Sequence, residues 1–179
     1  ECQCEYRDPA NRRFHAQPNA CPVCGPQISR CEGGGDTIAK GQSAALTAAE
    51  LLAEGRILAI KGLGGCHLAL EAGNEDAVRL LRQRKVREEK PLAVMVADLD
   101  KARQLCVLEQ AEAEALNSAA APILLAPTRS DKGVASSVAP GHARLGIMLA
   151  YTPLHHLLLR EFAGPLVMTS GNLSEEPIC

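Results

Sequence analysis

The sequence predicts a mixed α/β (α+β) domain preceded by a small cysteine-rich segment. Three observations carry that prediction. From about residue 46 onward, helical and strand-like patterns alternate along the chain, which implies a mainly buried sheet with flanking helices. Five of the eight cysteines fall within the first 31 residues, ahead of a cysteine-poor stretch. Between the two lies a glycine-rich break, Glu32-Gly33-Gly34-Gly35-Asp36, continued by Lys40-Gly41-Gln42-Ser43. The expected organisation is therefore a cysteine-rich segment at 1–31, a glycine-rich linker at 32–45 and a folded domain at 46–179.

The elements follow in order. Thr47 is a plausible N-cap for a helix carrying Leu51 and Leu52 and ended by Gly55. Residues 56–60 (RILAI) read as a strand running into the turn Gly62-Leu63-Gly64-Gly65. Asn74 caps a helix whose apolar face is Ala77, Leu80 and Leu81. Residues 92–96 (LAVMV), after Pro91, form a buried-strand run; Asp98 opens the next helix, and 109–117, rich in Ala and Glu, a further one. Residues 123–126 read as a strand, 130–141 as a loop and 145–149 as a strand. Thr152-Pro153 opens a helix through Leu157, Leu158 and Phe162, with Pro at the tolerated first position and Gly164 at the end. A last strand, 166–168, runs into Thr169-Ser170-Gly171-Asn172.

Composition removes several classes. The chain has 179 residues, ample for a core. Its apolar runs are far shorter than the roughly 20 residues of a membrane span, so no membrane role is expected. A net charge of -2 and 2% aromatics argue against a protein that grips nucleic acid with its whole surface or stacks bases along a strand. The chain opens on Glu1 and closes on Ile178-Cys179, and it reads as part of a longer polypeptide.

Clustered cysteines point to a metal in a reducing compartment, here the cytoplasm, rather than to a disulfide framework. Cys21-Pro22-Val23-Cys24-Gly25 is a C-x2-C knuckle, and Cys2 precedes it by 18 intervening residues. That order fits the second half of a C-x2-C-x18-C-x2-C zinc site, with Cys2, Cys21 and Cys24 as ligands and Cys4 or His15 able to supply a fourth. Four-coordination by thiolate leaves no open position, so the role is structural, and a complete site contributes roughly 10–16 kcal/mol to folding. The words around these cysteines, from Glu5-Tyr6-Arg7-Asp8-Pro9 through Phe14-His15 to Cys24-Gly25-Pro26, resemble the second zinc motif of the HypF family of carbamoyltransferases, which mature [NiFe] hydrogenases.

Three segments could handle anions. Residues 79–90 hold six basic residues, and Lys85-Val86-Arg87-Glu88-Glu89-Lys90-Pro91 sits where a helix gives way to a buried strand. A solvated, dipole-compensating helix end is the ordinary reading of such a run, but at that junction three cations can converge on one polyphosphate. Thr169-Ser170-Gly171-Asn172-Leu173-Ser174 follows a strand and offers hydroxyls, an amide and backbone N–H groups, although alone it could be a plain Asx turn. Lys61-Gly62-Leu63-Gly64-Gly65-Cys66-His67 is neither a Walker loop nor a dinucleotide fingerprint, yet it lets a ligand approach the backbone. His67 is as readily structural as ligand-contacting. His155 and His156, on a Leu-rich helix, read as packing or capping residues.

Together these pieces resemble a YrdC/Sua5-like domain: Lys85, Arg87 and Lys90 match its K-x-R-x-x-K-P word and Ser170 and Asn172 its S-x-N word. Ala150 stands where the family usually has Pro, and Glu175 where Gly is usual. The resemblance implies a twisted mixed sheet with flanking helices, and an enzyme that forms carbamoyl-adenylate from carbamoyl phosphate and ATP with Mg2+, then passes the carbamoyl group to the C-terminal cysteine of HypE. It implies that Lys85, Arg87, Lys90, Ser170 and Asn172 bind the nucleotide and that Lys61 and Arg87 are catalytic, Lys61 with the glycine turn holding the carbamoyl end. The alternatives are a tRNA threonylcarbamoyl-adenylate synthase of the same fold and a non-catalytic zinc module that binds nucleic acid.

Overall fold

The computed structural model describes residues 2–16, 21, 23–129 and 133–172. Part of the expected 130–141 loop, the end of the Ser170-to-Ser174 word and the Glu175 departure lie outside the described residues. The chain divides into two compact units, Glu1–Ala44 and Ala45–Cys179. Among the described residues, no helix is long and apolar enough to cross a membrane.

The first unit has one short helix, α1 (Cys2–Arg7), and an antiparallel hairpin of β1 (Ser29–Cys31) and β2 (Thr37–Lys40). The glycine run expected as a linker closes that hairpin. Glu32 donates its N–H to the Asp36 carbonyl at 3.1 Å, and Gly35 takes φ +89°, a conformation that glycine adopts without strain. Helix α2 (Gln42–Ala53) then begins directly after Gly41, several residues before the expected Thr47 cap. The run Ser43-Ala44-Ala45-Leu46 has enough helix propensity to carry the helix back past that threonine.

The second unit is built on a six-stranded sheet in the order β3-β4-β8-β5-β7-β6. Its strands are β3 (Leu58–Lys61), β4 (Cys66–Glu71), β5 (Ala93–Val96), β6 (Leu124–Pro127), β7 (Arg144–Leu149) and β8 (Leu166–Ser170). Among the described residues, only β5 and β7 run parallel, and every other pair is antiparallel. The helices are α3 (Glu75–Lys85), α4 (Leu99–Leu105), α5 (Gln110–Leu116) and α6 (Pro153–Phe162). Three expected caps are in place. Asn74 accepts the Ala77 N–H at 3.0 Å, Asp98 that of Lys101 at 2.8 Å and Thr152 that of His155 at 3.2 Å.

Helices cover both faces, and the period-2 alternation of the strands sorts the core accordingly. Leu70, Val94, Val96, Ile147 and Val167 point to one side, where they pack with Val78 and Leu81 of α3, Ala102 and Leu105 of α4 and Leu116 of α5. Ala69, Met95, Met148, Leu166 and Met168 point to the other, against Leu52 of α2 and Leu158 and Leu159 of α6.

Candidate functional site

A hollow of about 360 Å³ opens on the α2/α6 side of the sheet. Its origin is a row of residues paired across four strands: Met168 lies opposite Ala93, Ala93 opposite Gly146, and Gly146 opposite Leu125. The two middle positions carry almost no side chain, so the sheet is indented there. A Cβ added to Gly146 would stand 3.4 Å from Ile123 Cγ2 and 3.7 Å from the Ala93 Cα. The floor is therefore apolar, and the polar groups lining the hollow are His67, Arg87, Tyr151, Thr169 and Ser170.

The basic word reaches this hollow through an unusual helix end. The buried stripe of α3 runs Ala77, Val78, Leu81 and Lys85. Leu80, expected on the apolar face, is exposed, and the stripe ends on a lysine that is 3% exposed. Lys85 Nζ donates to the Ser170 carbonyl at 2.5 Å and to the Asn172 carbonyl at 2.6 Å. The ammonium is thus spent on the backbone of the S-x-N turn, 85 and 87 residues further along the chain. Burial, with Arg87 nearby adding repulsion, lowers the Lys85 pKa from its ordinary value. Val86 follows in the left-handed region, φ +50°, a costly conformation for a β-branched residue. Its N–H bonds back to the carbonyls of Arg82 and Gln83, closing the helix.

Arg87 then lies along the rim of the hollow. Its Nη2 donates to the Pro91 carbonyl at 2.8 Å and its Nε to the Lys90 carbonyl at 3.2 Å, which fixes the guanidinium plane. The whole loop is gripped by Arg82, which was not foreseen from the sequence. Its guanidinium donates to the carbonyls of Arg87 at 2.9 Å, Glu88 at 3.0 Å, Ser137 at 2.5 Å and Val138 at 3.1 Å. Burial, then the neighbouring Arg87, lowers its pKa.

Ser170 ends β8 opposite His67 of β4, and both line the hollow. Gly171 donates its N–H to the Cys66 carbonyl at 2.7 Å, and a Cβ there would lie 3.0 Å from that same oxygen. The glycine between Ser170 and Asn172 is therefore required by close packing on β4. Strand β4 itself was not foreseen. The remaining residues expected at the site, Lys61, Lys85, Lys90 and Asn172, are outside the lining. Lys61 is exposed at the end of β3 opposite Cys66, and Lys90 is exposed on the loop. The expected convergence of three cations on one ligand is thus, in this structure, Arg87 on the hollow with Lys85 bracing the turn beside it.

In the first unit, ligand atoms of Cys2, Cys21 and Cys24 all lie within 4.8 Å of one another. Cys21 Sγ accepts the Val23 N–H at 3.4 Å, and the Gly25 N–H donates to the Cys21 carbonyl at 2.8 Å, which shapes the knuckle. A hydrogen bond from the Cys2 thiol, with backbone N–H groups of Cys24 and Val23 behind it, pulls Cys21 down to about 6. Cys2 keeps its proton correspondingly, pushed up to about 12 by its bonds to Cys21 and Cys24. Cys4 and His15 are not among the grouped ligands; the His15 ring stacks on Tyr6 with centroids 4.8 Å apart.

Comparison with known proteins agrees with both units. The Sua5/YciO/YrdC family model, described as telomere recombination, matches residues 50–179, and one described as the HypF finger matches residues 1–30. Carbamoyltransferase HypF of Rhodobacter capsulatus is 56% identical over 176 residues, 98% of this chain and 23% of that protein. A crystal structure of full-length HypF in the phosphate- and nucleotide-bound form superposes with a TM-score of 0.83 at 43% identity, over 99% of this chain and 23% of the other. HypF of T. kodakarensis gives a TM-score of 0.85 at 37% identity, over 99% and 23%. The chain thus spans about a quarter of the length of these relatives. It belongs to the Sua5/YciO/YrdC family, in the finger-bearing arrangement found in HypF carbamoyltransferases.

Proposed function

We propose that the chain is the adenylate-forming part of a carbamoyltransferase, which joins the carbamoyl group of carbamoyl phosphate to AMP from ATP and hands it on to the C-terminal cysteine of HypE. The observation that carries this reading is the joint between the two sequence words. Lys85 holds the carbonyls of Ser170 and Asn172, while Arg87 and Ser170 line one hollow. The similarity to a HypF crystallised with phosphate and nucleotide supports it.

The chemistry needs positioning more than covalent help. Water first converts carbamoyl phosphate into carbamate and inorganic phosphate; a carbamate oxygen then attacks the α-phosphorus of ATP, the bond from that phosphorus to the bridging oxygen breaks, and pyrophosphate leaves with the electron pair. Arg87 faces the charge that develops, in a pocket whose apolar floor strengthens the interaction and excludes water. The Ser170 hydroxyl and the Asn172 amide orient the phosphates or ribose. Lys90 and Lys61 act from outside the hollow, Lys90 on the outer phosphates and Lys61 on the carbamoyl end. Mg2+ bound to ATP would supply further neutralisation of the phosphates beside Arg87.

The three convergent sulfurs suit Zn2+ in a structural role, with Cys2, Cys21 and Cys24 as its ligands in this chain. When bound, the ion supplies the cross-link that a segment of so few apolar residues cannot provide for itself. On this reading 1–31 is the zinc segment and 46–179 the adenylate-forming domain, and a cluster of metal-binding cysteines suits a reducing compartment such as the cytoplasm.

The test is ATP–pyrophosphate exchange dependent on carbamoyl phosphate, in the intact protein that carries this chain. Arg87→Ala is expected to lower exchange by about a hundredfold, the size seen when one preorganised donor is removed from a transition state. Exchange near the unsubstituted rate would remove Arg87 from the reaction.

A further inference from the structure

Beside the hollow lies a pair of imidazoles that the adenylation reading does not use. His155 of α6 is 1% exposed, and neither of its ring nitrogens has a hydrogen-bond partner among the described residues. His67 of β4 lines the hollow, and its Nδ1 is likewise buried without a partner. The two rings are nearly parallel, 17° apart in plane, with centroids 6.0 Å apart. Tyr151, also on the hollow, meets His155 edge-on at 4.6 Å. Leaving a buried polar atom unsatisfied costs about 1–3 kcal/mol, so three such nitrogens in one place are not explained by packing, which Phe or Leu would serve better.

We propose that His67, with His155 behind it, forms the subsite that receives the amide end of the carbamoyl group. The inference rests on the adenylation reading above. Imidazole nitrogens can donate and accept, which matches a small planar group with N–H donors and a carbonyl acceptor. His67 stands directly across the strand pair from Ser170, so the subsite adjoins the turn proposed to orient the phosphates. Burial, with His67 and His156 adding to it, holds the His155 pKa down at about 4, and the ring is neutral near pH 7. The glycine turn sets the His67 ring in place: a Cβ on Gly62 would come 3.2 Å from its Cε1.

The experiment uses His67→Phe and His67→Gln in the intact protein, with KM measured separately for carbamoyl phosphate and for ATP in pyrophosphate exchange. The expected result for His67→Phe is a rise of about tenfold or more in KM for carbamoyl phosphate, with KM for ATP within about twofold, and partial recovery in His67→Gln. Equal shifts in both constants, or none in either, overturn the subsite. A second arm needs no substitution. In protein with 15N-labelled histidine, carbamoyl phosphate added with α,β-methylene-ATP is expected to shift the His67 ring nitrogens, and α,β-methylene-ATP alone is not. The absence of that difference overturns the subsite. Failure of the unsubstituted protein to exchange at all would instead remove the adenylation reading, and the labelled-histidine arm separates the two cases.

Discussion

Replacing Lys85 by Met keeps the length of the side chain and removes the ammonium, and with it the two bonds to the S-x-N turn. Each is a charged donor on a backbone carbonyl, at 2.5 and 2.6 Å, and such bonds contribute about 1.5–3 kcal/mol apiece. Against their loss stands relief of the cost of burying the charge, which the lowered Lys85 pKa reveals. The net expectation is a loss of about 2–3 kcal/mol, or a fall in Tm of roughly 4–12 °C for a domain of this size. The functional effect should be local. The turn at Ser170 and Asn172 loosens, while Arg87 stays anchored to the Lys90 and Pro91 carbonyls. Hydrogen exchange at the Gly171 amide, bonded to the Cys66 carbonyl at 2.7 Å, reports the turn directly. That amide should lose protection in Lys85→Met, and KM for ATP should rise. Lys85→Arg should fail too, because a guanidinium does not fit a site with 3% exposure. Full protection of Gly171 alongside lost ATP use would refute the reasoning, since Lys85 would then act on the ligand and not on the turn.

Two further outcomes follow from groups already described. His155 is held at about 4 against an ordinary 6.5, so the unfolded chain takes up a proton at this position that the folded chain refuses. Its neutral form is fully accommodated above pH 6.5, and stability should fall by about 3 kcal/mol as pH drops from 6.5 to 4. Subtracting the melting curve of His155→Phe from that of the unsubstituted protein cancels other titrating groups, Glu75 among them, and a flat difference over that range would refute the assignment. In the first unit, Cys21→Ser with Cys24→Ser should abolish zinc binding, read by metal analysis, and lower the melting temperature of that unit. Zinc content unchanged by the double substitution would remove the cysteine cluster as the site.

Much of this architecture was readable from periodicity. The strands at LAVMV and LGIML, and the caps Asn74, Asp98 and Thr152, carry local signals that the fold respects. Strand β4 escaped because it is covered on both faces, so Cys66-His67-Leu68-Ala69-Leu70 shows no alternation, and the preceding glycines draw attention to a turn. The site was legible as words and not as roles. Spacing could not say which of six basic residues turns inward, although Ala77, Val78, Leu81 and Lys85 fall on one helical stripe, and that stripe was the available clue. Arg82 was hidden for the same reason, since its partners are backbone carbonyls up to 56 residues away. The hollow depends on Ala93 and Gly146 meeting across β5 and β7, a pairing that no local pattern encodes.

The position of β8 has a temporal consequence. It comes last among the described strands yet sits in the middle of the sheet, between β4 and β5. Until it inserts, the β3–β4 hairpin and the β5–β7–β6 layer have no ladder joining them, and Lys85 has no carbonyls to grasp. During folding, the wall of the hollow formed by Thr169 and Ser170 is therefore missing until β8 threads between β4 and β5, and the candidate site takes shape only as that ladder closes.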